Sequence, residues 1–442
     1  MESHPHLTRR TFLGAGAVAV GAAATGVRPT SASAALVRVR PRAADALVNS
    51  FGVGIHLNHR KSPYGRHADV VDWLTRLGVR HVRTRLSVGR DVLDAFADLS
   101  RAGIKVQGVC GALGEDQTMS ELMTTVRRRY RNPSRIFTAF EGINEPNNDG
   151  IPWVEETRAK THALHEARAA QGLTGIPIVA PALARVNSGG VEGDDTWEQA
   201  GSLGDLSGLV DIGNMHVYSR GLPPSSDLAR FRDSARRVAG SQPVMCTEGG
   251  YFTAMGYTGG AYPVPEKVAA VYGPQAILQH WIFGTRRFFR YELLDEPYPS
   301  STDREGTFGM VRTGGDWSAK PDFAPTRRLL QTFSDRGPRF TPRPIDMALT
   351  DGPRKLRKAV FAKRDGTHLL ALWIDRPIYD PVARKMLVRS LTAPMASVRL
   401  SLGSRRDLKV QHLTTLGTSE TFRNTRSARI DLTPGVTLVK IS

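Results

Sequence analysis

The stretch EGINEPNND, residues 141–149, follows the apolar residues Phe137, Ala139 and Phe140 and crowds carboxylates, asparagines and a proline together. Burying unpaired charge is costly, so such a cluster must reach solvent or face a polar site that supplies its partners. Which of these it does decides the architecture. A buried strand that delivers its polar end to an open mouth belongs to a sheet whose chemistry sits at the strands' carboxyl ends.

Outward from this stretch the chain alternates short apolar runs with longer helical patterns, as successive βα units around a parallel sheet do. Strand-like runs fall at 51–56, 81–86, 104–109, 137–144, 177–182, 210–216, 243–248 and 287–293. Between the first two, Val70, Val71, Trp73, Leu74 and Leu77 share one helical face. Further helices are expected at 91–102, 154–171, 227–238, 266–283 and 326–333. Eight strands over about 285 residues match a closed α/β barrel, the (β/α)8 or TIM barrel. A doubly wound open sheet is the alternative; its dinucleotide-binding version lacks support, because no G-x-G-x-x-G follows the first strand.

Beyond Pro338 the pattern changes to short alternating runs. Asp365-Gly366 between 359–363 and 368–374 is a hairpin signal, and Val398, Leu400 and Leu402, like Ile430 and Leu432, alternate with polar residues. Residues 338–442 are therefore expected to form a smaller antiparallel β-sandwich packed on a barrel of residues 35–337, with residues 35–48 adding a strand to the barrel.

The first 34 residues read differently. Arg9-Arg10 precedes a weakly apolar stretch rich in glycine and alanine, and Ala32-Ser33-Ala34 offers a small-residue cleavage site after Ala34. This is the pattern of a twin-arginine export signal, too short and too weakly apolar for a stable membrane span, and it places the protein outside the cytoplasm, secreted or periplasmic. Twin-arginine export carries chains folded in the cytoplasm, where disulfides are rare, and Cys110 and Cys246 both sit in apolar runs that read as core. The net charge of +18 over 442 residues could attract an acidic polymer, but no zinc-ligand spacing, aromatic RNA-binding box or basic heptad helix accompanies it. A nucleic-acid partner is not expected; a largely solvated basic surface is.

In a barrel the residues at the strand ends converge on one mouth. The fourth run ends on Asn144-Glu145-Pro146, the sixth on His216-Val217-Tyr218, the seventh on Glu248 and the eighth on Tyr291-Glu292; the second carries Arg83 and Arg85, and the first ends on His56. Two carboxylates facing each other across a mouth suit glycosidic bond cleavage, one protonating the leaving oxygen and the other attacking the anomeric carbon. Glu145 and Glu248 are expected about 5 to 5.5 Å apart, the separation that goes with a covalent intermediate and retained stereochemistry. Strict alternation would turn the side chains of Asn144 and Glu145 to opposite faces, so the strand must break its pleat there, where Pro146 cannot extend the ladder.

Gly142-Ile143-Asn144-Glu145-Pro146 resembles the Asn-Glu-Pro motif of the retaining glycoside hydrolases of clan A, which include families 5 and 39. The resemblance covers 51 to about 335 and implies that Glu145 is the general acid/base, Glu248 the nucleophile and Asn144 a contact to the sugar 2-hydroxyl. It further implies that His216 and Tyr218 orient nucleophile and substrate and that Arg83 supports the nucleophile. Tyr291 stands where many members carry a tryptophan platform; Glu292, its neighbour, brings another carboxylate, and Glu292 or Glu296 is the rival for the nucleophile's role. His56 completes the expected substrate contacts. No metal or organic cofactor is implied, and the partner is a carbohydrate, which the basic balance would suit to being anionic. The competing reading is a non-catalytic carbohydrate-binding protein on a glycosidase-like barrel.

Overall fold

The computed structural model describes residues 35–148, 152–185, 196–296, 299–415 and 419–442. The segment expected to be a twin-arginine signal lies outside them. Eight strands form one parallel sheet: β1 Phe51–Gly54, β2 His81–Arg85, β3 Lys105–Val109, β4 Phe137–Glu141, β5 Ile178–Val179, β6 Gly213–His216, β7 Val244–Gly249 and β8 Phe288–Arg290. β8 pairs with both β1 and β7, and a parallel bridge between Val179 and Ile212 links β5 to the start of β6, so the sheet closes on itself. A helix follows each strand: α1 His67–Leu77, α2 Arg90–Arg101, α3 Met119–Arg129, α4 Val154–Ala170, α5 Thr196–Leu203, α6 Leu228–Ala239, α7 Glu266–Phe283 and α8 Phe323–Phe333. The protein is a (β/α)8 barrel with a β-rich C-terminal region.

Local chemistry explains most of the boundaries. The buried residues of α1, Val70, Trp73, Leu74 and Leu77, follow the periodicity of its sequence, and Gly78 ends it in a left-handed conformation at φ 86° that glycine adopts without a side-chain clash. α3 opens with a capping box, Thr118 Oγ1 accepting from the Glu121 amide while Glu121 accepts from that of Thr118. Cys110 and Cys246 are buried and unpaired.

The C-terminal region is built from β9 Ile345–Thr350, β10 Leu356–Ala362, β11 His368–Ile374, β12 Ala396–His412, β13 Ser419–Leu432 and β14 Thr437–Ile441. β10 and β11 form the hairpin around Asp365-Gly366. β12 is shared along its length: its first half pairs with β9, its second with β14, and β13 runs along its other edge. Register shifts between Ser401 and Leu408 bend it, so the sheet doubles over an apolar interior that includes Leu370, Leu372, Leu400, Ile430 and Val439. The other face of β11 joins the barrel's core through Leu369, Ala371 and Trp373, the last donating to Gln279 Oε1 on α7 at 3.3 Å. Covered by the sheet on one side and the strands on the other, α7 is buried continuously from Val268 to His280.

Residues 35–48 do not add a strand to the barrel. Val37–Val39 pairs antiparallel with β9, and Arg42–Ala43 pairs parallel with β10. The edges of the C-terminal sheet offered unpaired backbone groups, whereas the barrel had no free edge to extend.

Candidate active site

The opening stretch divides its charges between two tasks. Glu141, the last residue of β4, is fully buried and never reaches the mouth. Arg83 on β2 donates to both its oxygens, from Nε at 2.9 Å and Nη2 at 2.8 Å. Gln107 at 2.6 Å, Asn214 at 3.0 Å and Thr247 at 3.0 Å complete its hydrogen bonds. Burial alone would raise the Glu141 carboxyl, but the Arg83 charge and these bonds hold it below its ordinary value. Glu141 is thus the anchor from which the site is built.

Arg83 carries that anchor to the surface. Its Nη1 donates to Glu248 Oε1 at 2.5 Å and its Nη2 also to Asn144 Oδ1 at 2.6 Å. With its oxygen so occupied, Asn144 can offer its NH2 to the cavity it lines. Arg85, two residues on, turns away to pair with Glu115.

Past Glu141 the chain leaves the pleat. The amide of Glu145 donates to Ala182 O at 3.0 Å, its carbonyl accepts from Asn148 at 3.0 Å, and its backbone sits at φ 44°, the left-handed region that a residue with a side chain rarely adopts. The conformation costs on the order of 1–3 kcal/mol. It allows adjacent residues Asn144 and Glu145 to line the same cavity, which an unbroken strand would forbid.

His216, at the end of β6, stands between the two glutamates. Its Nδ1 is 2.7 Å from Glu145 Oε1 and 3.7 Å from Glu248 Oε2, and its Nε2 is 2.9 Å from Thr247 Oγ1. Burial would lower the imidazole's pKa, but Glu248 and then Glu145 outweigh it and raise it above its ordinary value. Tyr218 Oη donates to Glu248 Oε2 at 2.6 Å. Burial would raise the Glu248 carboxyl; the charges of His216 and Arg83 and the bonds from Tyr218 and Arg83 outweigh it and hold the pKa at about 2. Oxygens of Glu145 and Glu248 and a nitrogen of His216 lie within 4.8 Å of one another. That is a pair of carboxylates at close range, with fixed donors stabilising the anion of one.

The cavity they share has a volume of about 440 Å³. His56 and Tyr291 line it, their rings 5.6 Å apart, and Tyr218 sits 6.4 Å from Tyr291. Glu292 does not line it. This residue, expected at the substrate, is fully buried behind His56, where Tyr64 Oη donates to its Oε2 at 2.6 Å. His56 Nε2 lies 3.3 Å from the same oxygen, near enough for charge attraction but poorly aligned for a hydrogen bond. Burial first, and then the Glu292 charge, push Glu296 up to about 6. Among the described residues two trios bring histidine and carboxylate atoms together, Glu145 with Glu248 about His216, and Glu292 with Glu296 beside His56; a further carboxylate, Glu305, lines the cavity paired with Arg304. Either trio has metal-ligating atoms, but in the first Arg83 and Tyr218 already meet the charge of Glu248, which disfavours a cation there.

No protein-family model matches the sequence, and a search of curated proteins finds no significant match. Solved structures do match. A family 39 glycoside hydrolase from Bacteroides cellulosilyticus WH2 aligns with a TM-score of 0.58 at 13% identity, over 91% of this chain and 81% of that one. A glucosidase from Croceicoccus marinus gives 0.56 at 11% identity, over 84% and 91%. A monomeric β-xylosidase from Caulobacter crescentus CB15 gives 0.54 at 14% identity, over 92% and 97%. The chain shares the fold of these glycoside hydrolases, a (β/α)8 barrel with a β-rich C-terminal region. In that fold the strand ends form the mouth in which Glu145, His216 and Glu248 meet.

Several residues that shape this mouth escaped the sequence reading. Glu141 carried a signal: a charge ending an apolar run demands a buried partner, and Arg83 lies in a similar position on β2. Gln107, Asn214 and Tyr64 carried none. Tyr251, Phe252 and Tyr257, between β7 and α7, line the cavity, and their density in 251–262 was the available cue.

Proposed function

We propose that the protein is an exported retaining glycosidase, acting on O-glycosidic bonds with Glu248 as nucleophile and Glu145 as acid/base. The observation that carries this reading is the approach of the Glu145 and Glu248 oxygens to within 4.8 Å. It suits direct attack better than the wider gap needed to lodge a water between the carboxylates, about 6.5–9.5 Å.

In the first step the Glu248 carboxylate attacks the anomeric carbon while the bond to the leaving oxygen breaks, and Glu145 gives that oxygen its proton. A glycosyl ester on Glu248 results. In the second, Glu145, now a carboxylate, takes a proton from water as the water oxygen attacks the same carbon, releasing Glu248 and the sugar with its original configuration. Two inversions give retention. Arg83, Tyr218 and His216 keep Glu248 ionised between turnovers, so it does not have to be deprotonated before attack. Export rests on the twin-arginine pattern at the N-terminus.

The test is trapping. Incubation with 2-deoxy-2-fluoro glycosides bearing good leaving groups, beginning with the xylosides and glucosides suggested by the names of the similar structures, should esterify Glu248 and no other residue, as read by peptide mass mapping. A label on Glu292 or Glu296 would move the nucleophile; hydrolysis with inverted product, followed by NMR, would end the reading.

A further inference from the structure

Between β11 and β12 the C-terminal region sends out a short hairpin, Tyr379–Asp380 paired antiparallel with Lys385–Met386. Ile378 and Tyr379 are buried against Tyr251, Val264, Val268 and Tyr272 of the barrel, and the Ile378 amide donates to Tyr272 Oη at 3.1 Å. Asp375, at the hairpin's base, accepts from Ser225 Oγ at 2.7 Å. The hairpin is thus seated beside the loop that joins β7 to α7.

That loop lines the cavity with Tyr251, Phe252, Tyr257 and Tyr262, yet no helix or strand lies between Gly249 and Glu266 to hold it. The Gly256 amide donates to Ser301 O at 2.6 Å. The carbonyls on either side of Gly256, those of Met255 and Tyr257, accept from Arg384 of the hairpin, at 2.5 Å from Nη1 and 2.6 Å from Nη2. One planar guanidinium clamps both, a fork that a lysine cannot reproduce. The Arg384 backbone sits at φ 52°, a left-handed conformation that is costly for a residue with a side chain, in a turn where Asp380 Oδ1 accepts from the amides of Val382 and Ala383. Pro381 of the same turn stands against Gly221, where an added Cβ would lie 2.6 Å from the proline Cβ and 3.5 Å from that of Tyr262. Loops from β6, from β7 and from the C-terminal region therefore meet at the cavity's edge, with room there for glycine alone.

The clamped loop stands next to the reacting groups. Tyr257 packs edge-on against Phe252, and Phe252 against Phe308, with centroids 5.4 Å apart in each pair. Phe308 in turn packs against Tyr218 and Tyr291, at 5.5 and 5.2 Å.

We propose that Arg384 is a positioning residue for the reaction, fixing the 251–262 loop from outside the barrel so that its rings form the wall against which the sugar packs. That the ligand is a sugar rests on the glycosidase reading of the barrel; the clamp does not. A loop that is already ordered spares the ligand the entropy of ordering it, so loss of the clamp should appear in binding before chemistry. The C-terminal region thereby shares in the choice of substrate.

Arg384→Ala in the full chain tests this in two ways. Without any sugar, hydrogen exchange followed by mass spectrometry should show the amides of 251–262 exchanging at least about tenfold faster than in the parent, with the barrel strands unchanged. On aryl glycosides KM should rise at least about tenfold while kcat stays within about twofold, the mark of lost ground-state binding. Arg384→Lys, which keeps the charge but loses the fork, should fall between the two. Unchanged exchange in the loop would overturn the proposal. So would a lowered kcat at constant KM, which reports a smaller active fraction rather than a displaced wall. A parent chain that turns over no glycoside, while Arg384→Ala still frees the loop, would sink the glycosidase reading and leave the clamp standing.

Discussion

Around Glu248 the buried charges meet opposite ones, Arg83 serving Glu141 and Glu248 together; in the C-terminal sheet, Arg399 meets Arg429 and Lys409 meets Lys440. Burial accounts for the difference. A charge removed from water must find its partner within the protein or shift its protonation, while an exposed one is screened and tolerates its own kind at small cost. The consequences of a substitution should therefore differ in kind between the two regions.

The largest effect is expected in the chemistry. Glu145→Gln keeps the shape of the side chain but cannot donate a proton to a leaving oxygen, so kcat/KM for substrates with poor leaving groups should fall by about 10²–10⁴, and far less for activated aryl glycosides. An equal loss on both would show that Glu145 acts otherwise. Next comes stability. Arg83→Met leaves Glu141 buried without its main partner and should cost about 3–5 kcal/mol by chemical denaturation, whereas Lys409→Gln on the sheet should stay within about 0.5 kcal/mol. Similar losses for both would erase the contrast.

The third expectation concerns pH. Glu248 has a folded pKa held down to about 2 from an ordinary 4.5. The stability it contributes is present in full above pH 4.5 and is lost as pH falls towards 2. Tyr218→Phe removes one of the bonds that favour the anion, so the Glu248 pKa should rise and the acid limb of kcat/KM should move upward with it. A limb that stays in place would mean that another group governs it. The smallest effect belongs to the sheet: Arg399→Gln alone should raise stability by about 0.2–1 kcal/mol through relief of its opposition to Arg429, measurable as a modest upward shift in unfolding midpoint.

The barrel was legible from the regular alternation of short strand-like runs with longer helical patterns, even though β2 (HVRTR) and β6 (GNMH) bring polar residues into the interior. α5 was missed because it has only eight residues, whereas α3 was missed although Thr118 and Glu121 offered a capping-box signal and Met119, Leu122, Met123 and Val126 a helical face. β5 is reduced to Ile178–Val179, so an apolar run of several residues, 177–182, overstated it. The pairings of Val37–Val39 and Arg42–Ala43 join segments some three hundred residues apart, and local patterning carries no record of such a partner. At the site, Glu145, Glu248, Asn144, His216, Tyr218 and Arg83 could be placed because each falls at or near a strand end, where direction follows from the fold. Glu292 could not. Whether a side chain just past a strand's last residue enters the cavity or turns behind its wall depends on the loop, and here Tyr64, contributed by the chain between β1 and α1, drew it away.

β14, residues Thr437–Ile441, is flanked by β11 on one side and β12 on the other. The sheet that covers α7 therefore lacks a central member until residue 441 has left the ribosome, so the nascent barrel must wait, with an apolar helix uncovered, in the care of whatever shields it during synthesis.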